Sequence, residues 1–291
     1  MTDKTLGIIG GSGLYDLPGL EDRREITLET PFGNPSYAIV TGRLHGVRSA
    51  VLPRHGRGHR IAPHELPFRA NIHAMKQLGM ECVLGISAVG SLREEIVPGD
   101  LVLIDQFIDR TRARTEESTF FGRGCVAHAH FADPVWEPLR KLALESARDA
   151  SGARVHDRGI YVCMEGPHFS TRAESHLYRS WGASVIGMTN LQEAKLAREA
   201  EIAYATVALA TDYDCWHETE ADVDVAAVVR VLLANVEKAK RVIVEVARRM
   251  STSAEAISCR GAMEHAFLSS KDAISADARR RLAQIAGQYL G

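Results

Sequence analysis

Ile202-Ala203-Tyr204-Ala205-Thr206-Val207-Ala208-Leu209-Ala210-Thr211-Asp212-Tyr213-Asp214-Cys215-Trp216 is an apolar run followed at once by two carboxylates. The run reads as a buried strand. Asp212 and Asp214 then stand at its carboxyl end, spaced to share one face of extended backbone. Open α/β sheets hold their ligands at such strand ends. A carboxylate pair there can grip a group that offers both a hydrogen-bond donor and a basic ring nitrogen, as a 6-aminopurine does. An acidic surface turn after a core strand would look the same, so the motif gains weight only from the rest of the chain.

Working outward, short apolar runs alternate with helical periodicity. Strands are predicted over residues 6–9, 37–41, 47–53, 82–88, 101–105, 159–163, 185–187 and 202–210. Helices are predicted over 67–78, 136–150, 172–181, 191–200 and 223–247, each with apolar residues three and four apart. Gly79, Gly152 and Gly182 follow three of these helices, where a C-terminal cap belongs. This alternation predicts an α/β domain over about residues 1–250, with a mixed, largely parallel central sheet flanked by helices. Residues 110–133 are polar, irregular and rich in Arg, His and Phe; they are too long for a plain connector and read as functional or interfacial. From Ser251 a Ser-rich linker leads to a short amphipathic tail, 254–291, that contains Arg279-Arg280-Arg281. This extension is expected to pack on the same domain or on a neighbouring subunit.

With 291 residues and a net charge of −2 from 35 basic and 37 acidic side chains, the chain can bury a large α/β core. Its basic residues are dispersed, so no footprint for nucleic acid or a membrane surface is expected, and small-molecule chemistry is the better reading. No apolar stretch reaches the length of a membrane span. The start, Met1-Thr2-Asp3-Lys4-Thr5-Leu6-Gly7, lacks a signal peptide's basic end and apolar centre, and cytoplasm is the expected compartment. Cys82, Cys125, Cys163, Cys215 and Cys259 include no Cys-X-X-Cys pair, so neither a metal site nor a disulfide framework is predicted.

Other strand ends carry further signals. Gly10-Gly11-Ser12-Gly13 exposes backbone N–H groups and a hydroxyl suited to an anion, although a tight turn alone would explain it. It is neither a P-loop nor a full dinucleotide fingerprint, because Asp16 stands where the third glycine belongs. Arg54-His55-Gly56-Arg57-Gly58-His59 gathers cationic donors, and arginine can hold two phosphate oxygens at once. Ser87-Ala88-Val89-Gly90-Ser91 ends a strand with small residues that admit a ligand or simply close packing. In Met164-Glu165-Gly166-Pro167-His168-Phe169-Ser170, Phe169 offers a face for a base to stack on, or a core residue. Thr189, in Met188-Thr189-Asn190, is either a phosphate hydroxyl beside an apolar sugar contact or an ordinary helix N-cap.

Taken together and in this order, these runs resemble the trimer-forming branch of the purine nucleoside phosphorylases over about residues 5–247. The resemblance also rests on Thr30-Pro31-Phe32-Gly33, Gly90-Ser91-Leu92-Arg93-Glu94-Glu95, Pro98-Gly99-Asp100, Asp105-Gln106-Phe107-Ile108-Asp109-Arg110-Thr111 and Glu165-Gly166-Pro167. It implies phosphate at Ser12, Arg54, His55, Ser87 and Thr189, with Ala88 lining the same site. It further implies base contacts from Phe169, Ser170, Asp212 and Asp214, and ribose over Met188. Val225 would line the 5' end of the nucleoside, and His128 would approach that end from an adjacent subunit. Three positions depart from the family pattern. His168 replaces a common arginine and is expected to alter the loop's hydrogen bonds. Gln192-Glu193 replaces Pro-Glu and is expected mainly to affect the backbone where the helix begins. Ser12 replaces a threonine and keeps the hydroxyl.

The implied reaction is phosphorolysis of 5'-methylthioadenosine to adenine and 5-methylthioribose 1-phosphate, with inorganic phosphate as co-substrate and no metal or organic cofactor. Asp212 would act as the general acid at N7 and Asp214 would accept from the N6 amino group, an assignment that could be exchanged. The alternatives are a 6-oxopurine or methylthioinosine phosphorylase, a hydrolase using water, and a non-catalytic adenine-nucleoside binding module. The resemblance implies a homotrimer or a hexamer of two trimers.

Overall fold

The computed structural model describes residues 4–11, 13–217 and 225–291, with side chains in the last stretch described from residue 229 on. In chain order these residues form β1 (Thr5–Gly10), β2 (Glu21–Ile26), β3 (Ile39–Leu44), β4 (Val47–Pro53), α1 (Phe68–Gln77), β5 (Cys82–Ser91), β6 (Leu101–Leu103), β7 (Gln106–Arg110), α2 (Glu137–Ala150), β8 (Val155–His156), β9 (Ile160–Met164), α3 (Arg172–Ser180), β10 (Val185–Gly187), α4 (Asn190–Glu199), β11 (Ala203–Asp212), α5 (Val225–Thr252) and α6 (Ala276–Leu290). The mixed sheet flanked by helices matches the predicted α/β class.

β5 organises the sheet. Its first half pairs in parallel with β1, Ile9 opposite Gly85, and β1 pairs in parallel with β4, Gly10 opposite Pro53. Its last residues instead pair antiparallel with β10, Ile186 opposite Gly90 and Val185 opposite Ser91. β11 follows the other edge of β5 in parallel from Ala203 opposite Cys82 to Asp212 opposite Gly90. Two sets of parallel strands therefore run in opposite directions, β4, β1, β5 and β11 against β10, β9 and β7. Their carboxyl ends meet at the β5/β10 junction. This topology gathers the ends of β1, β4, β5, β10 and β11 into one place.

Strand alternation places the core on both faces. Leu84 and Ile86 of β5 join Val207 and Leu209 of β11 against Leu139 and Ala143 of α2 and Val242, Ile243 and Val246 of α5. Val83 and Tyr204 face the other way, against Phe68 and Ile72 of α1, Leu196 of α4 and Leu282 and Ile285 of α6. Each of these Val, Leu, Ile and Phe side chains, taken from water, contributes about 1.5–3 kcal/mol. Gly79, Gly152 and Gly182 adopt the left-handed conformation just past α1, α2 and α3.

The tail lies on its own chain. Glu201 accepts hydrogen bonds from Met263 N at 3.0 Å, Gln288 Nε2 at 2.8 Å and Tyr289 Oη at 2.5 Å. The same tail holds the 110–133 segment: Arg281 donates to the carbonyls of Phe120 and Gly122 at 2.9 and 3.1 Å, and Ala127 bridges Phe267. Three strands are absent from the sequence reading. β2 is exposed along nearly its whole length, β7 follows the predicted 101–105 run and ends at Arg110, where the irregular segment starts, and β8 is only two residues long.

Candidate active site

The carboxylates sit at the end of β11, where the β5/β11 register shifts between Ala210 and Asp212. Such an irregularity re-aims the side chains that follow it. Asp212 Oδ1 accepts from Asp214 N at 2.8 Å, and Oδ2 lies 2.7 Å from the Thr211 hydroxyl, which is itself 3.1 Å from Val89 O. Thr211 can thus serve both protonation states of Asp212. It donates to the carboxylate, or accepts from the acid while donating to Val89 O. Asp214, in the left-handed region with φ 53°, is buried and accepts from the Ser170 hydroxyl at 3.0 and 3.2 Å. Burial pushes both carboxyls above the ordinary carboxylate range, against the hydrogen bonds of Thr211 on Asp212 and Ser170 on Asp214; for Asp214 the neighbouring Asp212 adds to the shift.

Neighbouring bonds lock this corner. Cys215 Sγ lies 3.3 Å from Ser170 O, and Trp216 Nε1 donates to Ser91 O at 2.7 Å under the stacked guanidinium of Arg179. The loop bearing Phe169 and Ser170 is thereby tied to the end of β11. Phe169 itself is half-exposed and can present a ring face.

Arg54 lies across the ends of three strands. Its N–H donates to Gly10 O, and its guanidinium donates to Ile86 O at 2.9 Å, Ile9 O at 3.2 Å and the Glu193 carboxylate at 2.5 and 3.1 Å. Four of its five side-chain donors are therefore spent within the chain, leaving one for a ligand. Burial alone would pull the guanidinium down, but the charge and hydrogen bonds of Glu193 raise it above its ordinary value. Glu193 is also held by Tyr204 Oη at 2.9 Å and Asn190 Nδ2 at 3.2 Å.

His55 is buried, stacked on His59 with ring centroids 4.2 Å apart. Its Nδ1 lies 2.8 Å from Ile61 O, and a carbonyl can only accept, so the proton resides on Nδ1 and Nε2 carries the lone pair. Burial, then the charge of Arg54, lowers its pKa to about 4, so it is neutral near pH 7. Ser87 and Ala88 pair with Ala208 and Leu209 of β11 just before the β5/β10 junction. Thr189 stands at the N-cap position of α4, yet its side chain makes no capping hydrogen bond. Its N–H donates to Tyr161 Oη at 3.3 Å. Burial, with Cys163 nearby, pushes the Tyr161 phenol up to about 12, against the hydrogen bonds of Ser87 and Thr189. Tyr161 therefore links the two strand ends that carry the candidate phosphate hydroxyls.

Ser12 lies outside the described residues, and Val225 begins α5 with its side chain undescribed. His128 is exposed, and its main-chain N–H donates to Ala266 O of the tail at 2.8 Å. That bond and the Ala127–Phe267 bridge lay the residue along the C-terminal segment. Among the described residues, Ser170, Asp212 and Asp214 thus come together at the end of β11, and Arg54, Ser87 and Thr189 gather at the neighbouring strand ends spanned by Glu193 and Tyr161.

Sequence reasoning missed the buried partners Glu193, Tyr161, Tyr204 and Arg114, and the partly exposed Glu165. A signal exists for two of them. A Cβ on Gly187 would meet Tyr161 Oη at 2.1 Å and one on Gly85 would meet Tyr204 Oη at 2.3 Å, so glycines in strands mark where these hydroxyls pass. Gln192 also does more than alter the start of α4. It is fully buried, lies 3.3 Å from Arg114 Nη1 through Oε1 and donates to Thr111 Oγ1 at 3.0 Å. His168 is exposed.

The profile of the phosphorylase superfamily matches residues 5–248. An S-methyl-5'-thioadenosine phosphorylase of Geobacter sulfurreducens is 55% identical over 288 residues, covering 99% of this chain and 100% of the relative. That of Gloeobacter violaceus is 53% identical, covering 98% and 95%. Among solved structures, a methylthioadenosine phosphorylase sourced from an antarctic soil metagenomic library superposes with a TM-score of 0.91 at 45% identity, over 97% of this chain and 99% of that one. The methylthioadenosine phosphorylase of Schistosoma mansoni in complex with adenine gives 0.80 at 36% identity, over 86% and 93%. The chain belongs to the phosphorylase superfamily and, within it, to the S-methyl-5'-thioadenosine phosphorylases.

Proposed function

We propose that this chain catalyses reversible phosphorolysis of 5'-methylthioadenosine, giving adenine and 5-methylthioribose 1-phosphate. The observation that carries the reading is the pair of carboxyls, Asp212 and Asp214, both pushed up by burial at the end of β11. Cleavage of the N-glycosidic bond builds positive charge on the ribose and negative charge on the purine. Phosphate offsets the first. A carboxyl that holds its proton offsets the second by donating to N7, the role given to Asp212, while Asp214 accepts from the N6 amino group. Thr211, able to donate or accept, keeps Asp212 satisfied before and after the transfer.

Phosphate is held by the remaining donor of Arg54, the hydroxyls of Ser12, Ser87 and Thr189, and His55, with Ala88 against it. Neutral His55 accepts through Nε2 from the phosphate O–H. Phe169 stacks on the base, Ser170 steadies Asp214, and Met188 lies under the ribose. Val225 and the His128 of a neighbouring subunit enclose the 5' end in a homotrimer or a hexamer of two trimers. The reaction needs inorganic phosphate and no metal or organic cofactor, and it takes place in the cytoplasm. The test is adenine release from 5'-methylthioadenosine with and without phosphate. Release only with phosphate, together with 5-methylthioribose 1-phosphate, supports the reading; release at the same rate without phosphate makes the chain a hydrolase.

A further inference from the structure

Within residues 110–133, the side chain of Arg114 reaches the site from its own chain. Arg114 is buried, with its guanidinium over the Phe68 ring. Its Nε donates to Glu165 Oε1 at 2.7 Å and Nη2 donates to the Glu165 carbonyl. Its Nη1 donates to Met188 O at 2.5 Å and lies 3.3 Å from Gln192 Oε1. The other Glu165 oxygen accepts from Arg112 N at 2.5 Å and Ala113 N at 2.9 Å, closing a joint between three segments: the start of residues 110–133, the loop after β9 and the turn after β10.

Met188 O and Thr189 N belong to one peptide group. Arg114 holds its oxygen and Tyr161 Oη accepts from its N–H, so the peptide plane is pinned from both sides. The loop after β9 also touches this turn directly, since a Cβ on Gly166 would meet Met188 Sδ at 2.6 Å. The same loop continues to Phe169 and Ser170, and Ser170 holds Asp214.

We propose that Arg114 is a positioning residue: by joining Glu165 to the Met188–Thr189 peptide, it sets the separation between the phosphate pocket and the base pocket. This inference rests on the phosphorolysis reading. Arg114 touches neither substrate. Its effect is exerted through the two segments it joins, and it matters most where phosphate, anomeric carbon and base must line up. A misplacement of about 1 Å at such a point costs about 10²-fold in rate. Binding of each substrate alone depends less on that alignment.

The experiment compares wild type, Arg114→Lys and Glu165→Gln by steady-state kinetics with 5'-methylthioadenosine and phosphate, alongside thermal melting. Lysine keeps the charge but cannot reach all the acceptors that the guanidinium fork spans. Glu165→Gln weakens the joint from its less buried side and serves if Arg114→Lys is not recovered folded. We expect kcat to fall roughly tenfold to 10²-fold in Arg114→Lys and less in Glu165→Gln, with both KM values within about threefold of wild type. Variants that melt earlier yet keep the wild-type kcat per folded molecule overturn the proposal, because Arg114 is then structural only. A fall confined to KM overturns it too. Absence of turnover in the wild type itself overturns the phosphorolysis reading and this inference with it, an outcome separate from a silent variant.

Discussion

The main-chain N–H of Asp214 donates to Oδ1 of Asp212 at 2.8 Å, so a backbone hydrogen bond holds together two acids whose charges repel. Asp212 keeps its other oxygen against Thr211, and burial raises its pKa. A general acid works only while protonated. Activity should therefore fall as the pH rises through that raised pKa. Asp212→Asn retains the shape but has no proton to give. We expect kcat to drop about 10²–10⁴-fold and this falling limb to disappear from the pH–rate profile. An unchanged limb in the variant would remove Asp212 from the role.

Gly90 makes room for that pair. A Cβ there would stand 3.0 Å from Asp212 Oδ1, 3.2 Å from Ile186 Cγ2 and 3.3 Å from Asp214 Cβ. Gly90→Ala should displace the carboxylates at a stability cost of about 1–3 kcal/mol. The expected result is a loss in kcat/KM of at least about tenfold in protein that still folds, read from kinetics beside a melting curve.

The Arg54–Glu193 pair is 2% and 1% exposed in its side chains, whereas the Arg23–Asp16 pair is 41% and 88% exposed. Removing one partner from the buried pair strands a charge away from water. Glu193→Ala should cost about 3–5 kcal/mol in urea unfolding. Asp16→Ala should cost no more than about 1 kcal/mol. Similar costs for the two variants would contradict the structural part assigned to Glu193.

Glu199 accepts from Thr119 Oγ1 and Phe120 N, both at 2.7 Å, and burial pushes it up to about 7 despite those bonds. A carboxyl raised in the folded state favours folding most below its ordinary value, near 4.5, and that contribution is lost as the pH rises through about 7. Glu199→Gln keeps an acceptor and cannot ionise. Its melting temperature should gain on wild type between about pH 5 and pH 8. A constant difference between the two across that range would place the titration elsewhere.

Much of the fold is legible in the sequence. The boundaries of β4 and β10 coincide with the predicted 47–53 and 185–187, because short apolar runs closed by Pro53 and Gly187 leave little freedom in where a buried strand stops. β2, Glu21-Asp22-Arg23-Arg24-Glu25-Ile26, is not legible. It is a solvent-facing edge strand held by backbone bonds to β3, and no apolar alternation marks it. β7 is obscured because Gln106-Phe107-Ile108-Asp109-Arg110 merges with the preceding run and ends in charge. At the site, the residues at strand ends can be named because their chemistry is exposed in the motif. Tyr161, Tyr204 and Arg114 cannot, since what they do depends on which strand lies beside them. The antiparallel β5/β10 junction that brings the turn of Met188 and Thr189 toward the end of β5 is a long-range pairing with no local signature.

The most direct test of the central claim is kcat/KM for 5'-methylthioadenosine against 5'-methylthioinosine, both with saturating phosphate. A 6-oxopurine would turn an acceptor toward Asp214 with no proton between them, and a buried polar mismatch of that kind discriminates by about 10⁴-fold. The account predicts that the amino substrate wins by orders of magnitude. Equal rates, or a preference for the inosine form, would contradict the assignment of Asp212 and Asp214.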